Sequence, residues 1–537
     1  DTYTVTYNEN GGTSGTAPAK QTKKYGETIT LSSSKPSRRR YTFMGWSTAS
    51  DSKDVMYKLG DNYTENESVT LYAVWESSLI PSVANAPVLG EGMKAVYWDD
   101  ENATNEFEYD TFMLADGIPN TTIYSYTMGD GVTDTKTAKW ANAKTTDDGS
   151  YWVWIPRYAY KLIYYTNSNR TIESTTKTKY GDVDVLFMYG TSDTQYRDKD
   201  GNPKDLPEGY KVHPAFQKMT AEEEAAGNNP LGKWDDELQG IWVMKYEASI
   251  EMSADSSTWI ATSATTGLTT NAGNTSTTKS RMVSKPSVTS WRSNHIKYMY
   301  QNCVSMYPEI NTHQMKNSEW GAVAYLTYSP YGRNGEELAV NQCSSYYTGA
   351  GKGKGTSMIY NNTYEHDATD ASGNIVGYVF KDNYAWNTDL GKLASTTGNI
   401  YGIYDISGGA AEYTAAYLNN GSTNLTTYGS NLVSALELRN KQVYSSTVSD
   451  GTPNSGSADY QLCNDLYGDA IYETSTSYSS GSWCNDHVYY PSGAGPFFCR
   501  GGYYHDDNDA GAFHFIGATG GGDYGGFRAV ASVSGGT

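Results

Sequence analysis

The densest run of side chains able to do chemistry lies near the C-terminus, in RGGYYHDDNDAGAFHFIGATGGGDYGGFR, Arg500 to Arg528. His505, Asp506, Asp507 and Asp509 are oxygen and nitrogen donors of the kind that hold hard cations. They follow no fixed ligand spacing and share one glycine-rich loop, so the pattern does not favour a metal. A second acidic run, DKDGNPKD at Asp198–Asp205, is like a calcium loop, but Gly201 is misplaced for an EF-hand and a turn accounts for it. Arg500 and Arg528 could meet an anion, but guanidinium forks more readily satisfy loop carbonyls. The five cysteines (Cys303, Cys343, Cys463, Cys484 and Cys499) form no CxxC pair, which argues against zinc. A disulfide between Cys484 and Cys499 is compatible with their spacing, though spacing alone does not show it.

A chain of 537 residues is long enough for two to four domains at about 150 residues each. Its aromatic content rests on 48 tyrosines against 11 phenylalanines. Tyrosine combines a flat apolar ring with a hydroxyl, which suits large half-wet binding surfaces. The net charge of −20 opposes nucleic-acid binding, which needs Lys and Arg against phosphate. Lys35, Arg38, Arg39 and Arg40 form the one basic cluster and read as a solvated turn. No apolar run approaches the length of about 18 residues that a membrane span requires. The chain opens directly on strand-like sequence, as a mature or trimmed product would.

Residues 1–76 read as a separate unit. YTVTYNENGG alternates apolar and polar positions and then turns at Asn-Gly-Gly; YGETITL, YTFMGWST and VTLYAVWE add short strands. ESSLIPSVANAPVLGEG, residues 76–92, carries two prolines and small residues and reads as a linker, assigned to 77–92. Residues 93–239 are expected to be a β-rich accessory region and 240–537 the C-terminal domain. YWVWIPRYAYKL (Tyr151–Leu162) and GIWVMKYEASI (Gly240–Ile250) are the strongest strand signals. TSATTGLTTNAGNTSTTKS marks a long loop, and helices are expected in TAEEEAAG and KNSEWGAVAYLTYS.

The N-terminal pattern, with Trp46 in FMGWST and Trp75 in VTLYAVW, resembles the Listeria–Bacteroides repeat of internalin-type bacterial surface proteins. That implies a small β-grasp-like spacer on a secreted protein. Farther on, HQMKNSEWGAVAYL, GNIYGIYDISGGAAEYTAAY and CRGGYY…GGFRAV occur in that order, preceded by IWVMKYEAS with Glu247. This series, over roughly residues 240–535, resembles the formylglycine-generating-enzyme (sulfatase-modifying factor) superfamily. The resemblance implies a C-type-lectin-like fold, α+β but mainly β, with long loops. Enzymes of that superfamily bind copper through cysteines between the RGG and GFR elements; residues 501–527 contain none. The expectation is therefore no enzyme activity and no cofactor. The superfamily's structural calcium is left as an alternative near Glu412, where Gly409 replaces the usual amide.

The same frame resembles the variable protein of diversity-generating retroelements, whose residues between RGG and GFR are rewritten by adenine-targeted mutagenesis. An AAC or AAT codon so altered never encodes Lys, Glu, Gln, Met or Trp. None of these five occurs among the 54 residues from Cys484 to Thr537, against 24 in the longest earlier run, Tyr413–Leu436. The run overshoots the window about 500–528, and glycine-rich composition accounts for part of it. The resemblance implies a ligand face made of Tyr503, His505, Asp506, Asp509, His514, Ile516, Ala518, Thr519, Asp523 and Tyr524. Arg500, Gly501, Gly502, Phe513, Phe515, Gly526, Phe527 and Arg528 would be its framework. The expected role is receptor binding or adhesion on a cell surface or phage tail, outside the cell, with a protein or glycan on another surface as partner. Membrane insertion and nucleic acid are not expected, and a homo-oligomer is left open. Competing expectations are an inactive or divergent relative of the formylglycine-generating enzymes and a structural surface or fibre subunit.

Overall fold

The computed structural model describes the chain except for residues 130–137, 254–256, 258–259, 262–278, 344–345, 352–363, 370–374, 381–383, 453–455 and 534–537. Most of the Ser/Thr-rich loop expected before Ser280 lies outside the described residues. The described chain is mainly β, with short helices. It divides into two compact units: Asp1–Pro81 with Ile163–Gly181, and Ser82–Leu162 with Asp182–Thr537. Among the described residues no helix is long and apolar enough to cross a membrane.

In the first unit, β1 (Thr2–Asn8), β2 (Gln21–Lys24), β3 (Tyr41–Ser47) and β4 (Val69–Ser77) form a mixed sheet in the order β2-β1-β4-β3. The central pair β1–β4 is parallel, with Val5 opposite Val69. Period-two alternation sends Val5 and Tyr7 inward, where they meet Leu71, Ala73 and the fully buried Trp46. The Trp46 ring lies 4.8 Å from Tyr7 and 4.9 Å from Phe43. The Asn-Gly-Gly turn has a packing reason. A Cβ at Gly12 would stand 2.8 Å from the Trp75 ring, whose Nε1 donates to the carbonyls of Glu9 (3.0 Å) and Asn10 (3.1 Å).

The second unit contains two large sheets. Along the chain come β5 (Met93–Trp98), β6 (Glu106–Tyr109), β7 (Asn142–Thr145), β8 (Tyr151–Pro156), β9 (Gly240–Met244) and β10 (His313–Gln314). They are followed by β11 (Ala411–Asn419), β12 (Gln442–Ser445), β13 (Val488–Tyr489), β14 (Phe497–Gly501), β15 (Gly511–Ala518), β16 (Gly525–Gly526) and β17 (Ala529–Ala531). The seven-stranded sheet runs β10-β17-β9-β8-β7-β5-β6; the six-stranded one runs β12-β11-β14-β15-β13, with β16 against β11. β8 and β9 pair antiparallel from Trp152–Met244 to Pro156–Gly240, and their aromatic and β-branched side chains are buried on both faces.

Three sequence expectations change here. YWVWIPRYAYKL is not one strand: it breaks at Arg157, whose buried guanidinium donates to the carbonyls of Phe216 (2.5 Å) and Leu238 (3.2 Å). Residues 93–239 and 240–537 share the seven-stranded sheet, so no domain boundary falls between them. The segment read as a linker is structured from Ser82 onward. Ser82 N–H donates to the Tyr331 hydroxyl (2.9 Å), Asn85 Nδ2 donates to the Gly190 carbonyl (3.0 Å), and Val88 O accepts from Trp242 Nε1 (2.7 Å).

Both expected helices form. α1 (Ala221–Ala226) starts at a Thr220–Glu223 capping box. A further helix, Ile296–Met306 (α2), was not among the expectations, although Ile296, Met299, Tyr300 and Cys303 recur at helical spacing and form its buried face. α3 (Asn317–Tyr328) is buried on every side; beyond its first turn its sequence is apolar, aromatic or small all round, and the buried Glu319 in that turn is paired with His313 and Lys316.

Removing the Trp46 ring should destabilise the first unit by about 3–5 kcal/mol, the usual cost of truncating a buried aromatic. In Trp46→Ala, amide exchange should accelerate across β1, β3 and β4 and stay unchanged in β8 and β9.

Candidate functional site

The loop between Arg500 and Arg528 is hung from a hairpin. β14 and β15 pair antiparallel, from Phe497 opposite Ala518 to Arg500 opposite Phe515, and the register shifts before Gly501 meets Gly511. Both guanidinium groups are fully buried. Arg500 donates to the carbonyls of His514 (3.0 Å), Asp469 (2.9 Å) and Ala470 (3.2 Å), and burial lowers its pKa to about 10. Phe513 packs against Tyr328 and Trp483 at 5.2 and 5.4 Å, while Phe515 joins the core of Leu418, Tyr444 and Phe498. Trp320 of α3 donates from Nε1 to Ala512 O (2.8 Å), and Asp486 accepts from Phe513 N–H (2.8 Å).

Arg528 donates to the carbonyls of Met244 (3.1 Å) and Tyr404 (2.9 Å) and clamps both oxygens of Glu412, with Nε to Oε2 at 2.7 Å. Asp405 and Glu247 are also buried and act on the same charge. Burial, with the Asp405 and Glu412 carboxylates beside it, pushes Glu247 well above the carboxylate range. Burial opposes the Arg528 charge, but Glu412, Asp405 and Glu247 together outweigh it and raise its pKa. The expected calcium near Glu412 does not fit this arrangement. The carboxylate that would ligate it is occupied by a guanidinium, and no group of three metal-ligating side chains occurs among the described residues. Gly409 in place of the amide has a steric reason: at φ +75°, a Cβ there would stand 2.5 Å from Glu247 Oε1.

From this frame the loop is fixed largely through its backbone. Gly501 and Gly502 take positive φ, Gly408 N–H donates to Gly501 O (3.1 Å), and Tyr504 N–H donates to Gly409 O (2.9 Å). Asp506 Oδ2 accepts from Tyr503 N–H (2.9 Å). Burial raises the Asp506 pKa, and this hydrogen bond opposes the rise. The side chains thus held form a ring cluster. Tyr503 lies 5.0 Å from Tyr524 and 5.9 Å from a nearly parallel His505, with Tyr504 beside them at 5.6 Å. Tyr503, Tyr504 and His505 are half-buried; Tyr524, Asp523 and Asp509 are exposed.

Two residues that carried no motif complete the face. Tyr346 packs edge-on to Tyr504 at 4.9 Å, and the Arg292 guanidinium lies 3.4 Å above the Tyr346 ring. Arg292 also donates to Asp523 O (3.0 Å), tying down the return of the loop. They stand far from the loop in sequence, so only the fold brings them together.

The remaining expected ligand residues are not part of the ring cluster. Ile516 and Ala518 are half-buried on β15 opposite Cys499 and Phe497, at the end of the hairpin away from Gly511, and exposed Thr519 follows them. His514 was expected on the ligand face but is only 2% exposed, its Nδ1 has no hydrogen-bond partner, and burial lowers its pKa to about 3. The framework residues Gly501, Gly502, Gly526 and Phe527 are buried, as are Arg500, Phe513, Phe515 and Arg528. Cys484 and Cys499 are not joined by a disulfide: Cys499 is buried opposite Tyr413 on β11, and Cys484 Sγ meets the Tyr328 hydroxyl at 3.4 Å.

Comparison with known families identifies residues 3–74 as a Listeria–Bacteroides repeat domain. No curated protein matches the chain significantly. The class thus defined is a mainly β protein whose first unit carries that repeat.

Two outcomes follow from the buried charges. Arg528→Met leaves Glu412 buried without its partner and should cost about 3–5 kcal/mol in urea unfolding, and adding Glu412→Leu should recover only part of it, because Asp405 and Glu247 still lack the guanidinium. His514 binds no proton in the folded protein until about pH 3, whereas the unfolded imidazole titrates near its ordinary 6.5. Its contribution is therefore complete above pH 6.5 and lost as pH falls from there toward 3. His514→Phe should flatten the acid side of the stability curve by about 2–3 kcal/mol at pH 4.5, taking about 1.4 kcal/mol per pH unit.

Proposed function

We propose that the protein is a surface-exposed binding protein whose ligand face is the ring cluster of the 500–528 loop. The observation that supports this most is the division of labour within the loop. Main-chain groups and the Asp506 carboxylate hold its shape, while Tyr503, His505 and Tyr524 present aromatic surface and Asp509 and Asp523 flank it. Aromatic anchors edged by polar groups suit protein or glycan recognition. The acidic residues favour a partner with basic groups at the contact rim.

Under this reading the second unit is a C-type-lectin-like domain of the formylglycine-generating-enzyme frame, and its loop is a product of retroelement diversification. The order of the three motif segments supports the first part. The absence of five residue types from Cys484 onward supports the second. Binding rather than catalysis fits the lack of cysteines between Gly501 and Phe527. The Listeria–Bacteroides repeat fits display outside the cell, on a bacterial surface or a phage tail. A neighbouring reverse-transcriptase gene with a near-identical template repeat is expected at the locus; its absence argues against diversification but leaves binding open.

The binding reading is tested with arrays of surface proteins and glycans. Replacing Tyr503, His505, Asp509, Asp523 and Tyr524 together should abolish or redirect binding of the captured ligand while stability changes by no more than about 2.5 kcal/mol, at about 0.5 kcal/mol for each substitution outside the core. Phe513→Ala should instead destabilise the unit by about 3–5 kcal/mol. Unchanged recognition by the five-residue variant would rule out this face.

A further inference from the structure

A cleft of about 210 Å3 opens in the second unit where β5 ends, lined by residues outside the 500–528 loop. Its floor is Trp98, Ile400 and Tyr401. The Tyr401 hydroxyl accepts from Trp98 N–H (3.2 Å) and donates to Trp98 O, so the floor is rigid. One wall is the turn that follows. The Asp100 carboxylate accepts from the backbone N–H groups of Asn102 (2.9 Å), Thr104 (3.1 Å) and Asn105 (2.8 Å) and from the Thr104 hydroxyl (3.0 Å). Those bonds pull its pKa down to about 2 and fix the turn before any ligand arrives.

Two ammonium groups line the same cleft. Lys392 is only 6% exposed, yet its partners Asp389 (3.2 Å) and Glu101 (3.6 Å) have side chains 94% and 92% exposed. Exposed carboxylates are well hydrated and offer such a cation weak compensation. The Lys139 ammonium lies 5.1 Å from the Tyr97 ring and 5.5 Å from the Tyr401 ring, and no oxygen among the described residues accepts from it. The cleft therefore holds N–H donors short of acceptors, together with the carboxylates of Asp99, Asp100, Glu101 and Asp389.

That combination discriminates between ligand classes. A free anion would be drawn by two lysines but repelled by four carboxylates. A cation would be repelled by the two lysines, and of the four carboxylates Glu101 and Asp389 already face Lys392 while Asp100 holds its own turn. A neutral ligand with many hydroxyls satisfies both sets, because each hydroxyl can accept from an ammonium and donate to a carboxylate. An apolar floor edged with aromatic carbon suits the C–H face of a sugar ring. We infer that this cleft binds a neutral saccharide unit, independently of whatever the 500–528 loop recognises.

The full chain is titrated with maltose, lactose, chitobiose and mannobiose, followed by saturation-transfer NMR and calorimetry, with sialyllactose and spermidine as anionic and cationic probes. At least one neutral disaccharide should bind in preference to both charged probes. Lys392→Met and Lys139→Met should each weaken it by about tenfold or more, the expected loss of a charge-assisted hydrogen bond. Lys139 is half-exposed, so its variant keeps the test valid if loss of the buried Lys392 disturbs folding. The five-residue loop variant should bind the disaccharide as the parent does. Preference for a charged probe, no binding of any neutral disaccharide, or undiminished binding by Lys139→Met overturns the inference.

Discussion

Arg528 permits three acidic side chains, Glu247, Asp405 and Glu412, to lie buried around one another. Removing a carboxylate from water carries a penalty of several kcal/mol, and the guanidinium offsets it with charge and with a fork that fits both Glu412 oxygens. The same fork reaches Met244 O on β9 and Tyr404 O, so one side chain joins the seven-stranded sheet to β11 of the six-stranded sheet. Glu247 completes the joint by accepting from Ala410 N–H at 2.8 Å beside the Gly408–Gly409 turn. Arg500 does the corresponding work at the other end of the loop, through three carbonyls. The two arginines bracket the loop without facing a ligand.

Because both ends are fixed in this way, few side chains inside the loop are needed for its shape. Main-chain groups contribute most of the ties, at Gly409, Gly501 and Gly520, and Arg292 adds one from outside through the Asp523 carbonyl. Asp506 is the exception, since its carboxylate accepts from Tyr503 N–H. Asp506 was grouped with the ligand residues on sequence grounds, but its position makes it a structural cap as much as a contact. A surface built this way can change chemistry at Tyr503, His505, Asp509, Asp523 and Tyr524 while its backbone holds.

Much of the first unit was legible in the sequence because its signals are local. The alternation in TVTYN before the Asn-Gly-Gly turn, the YTFMGWST run and the closing VTLYAVW act within a few residues of themselves, and β1, β3 and β4 follow them. YGETITL was less so, yielding only the two-residue strand Ile29–Thr30. In the second unit β8 and β9 were readable because aromatic and β-branched runs have few other uses. The break at Arg157 follows Pro156, which a strand interior tolerates poorly, but the burial of its guanidinium against residues 59 and 81 positions away was not readable. Arg292 and Tyr346 were invisible for the same reason: their role exists only once the loop is placed beside them.

His514 shows where period-two reasoning stops. On β15, Phe513 and Phe515 point to one side and His514 to the other. Alternation gives that much, and in a sheet with one wet face it would put His514 in solvent. Here the second face is covered too: the His487 ring lies 6.1 Å from His514, and Asp506 Oδ2 lies 3.9 Å from its Nε2. A side chain at position 514 therefore answers to packing rather than to a partner. If codons across the loop are rewritten, most replacements at 514 would bury a poorly fitting or unsatisfied group, whereas replacements at 503, 505 or 524 would not. The part of the loop free to vary is then smaller than its sequence window and lies on the Tyr503 side of β15.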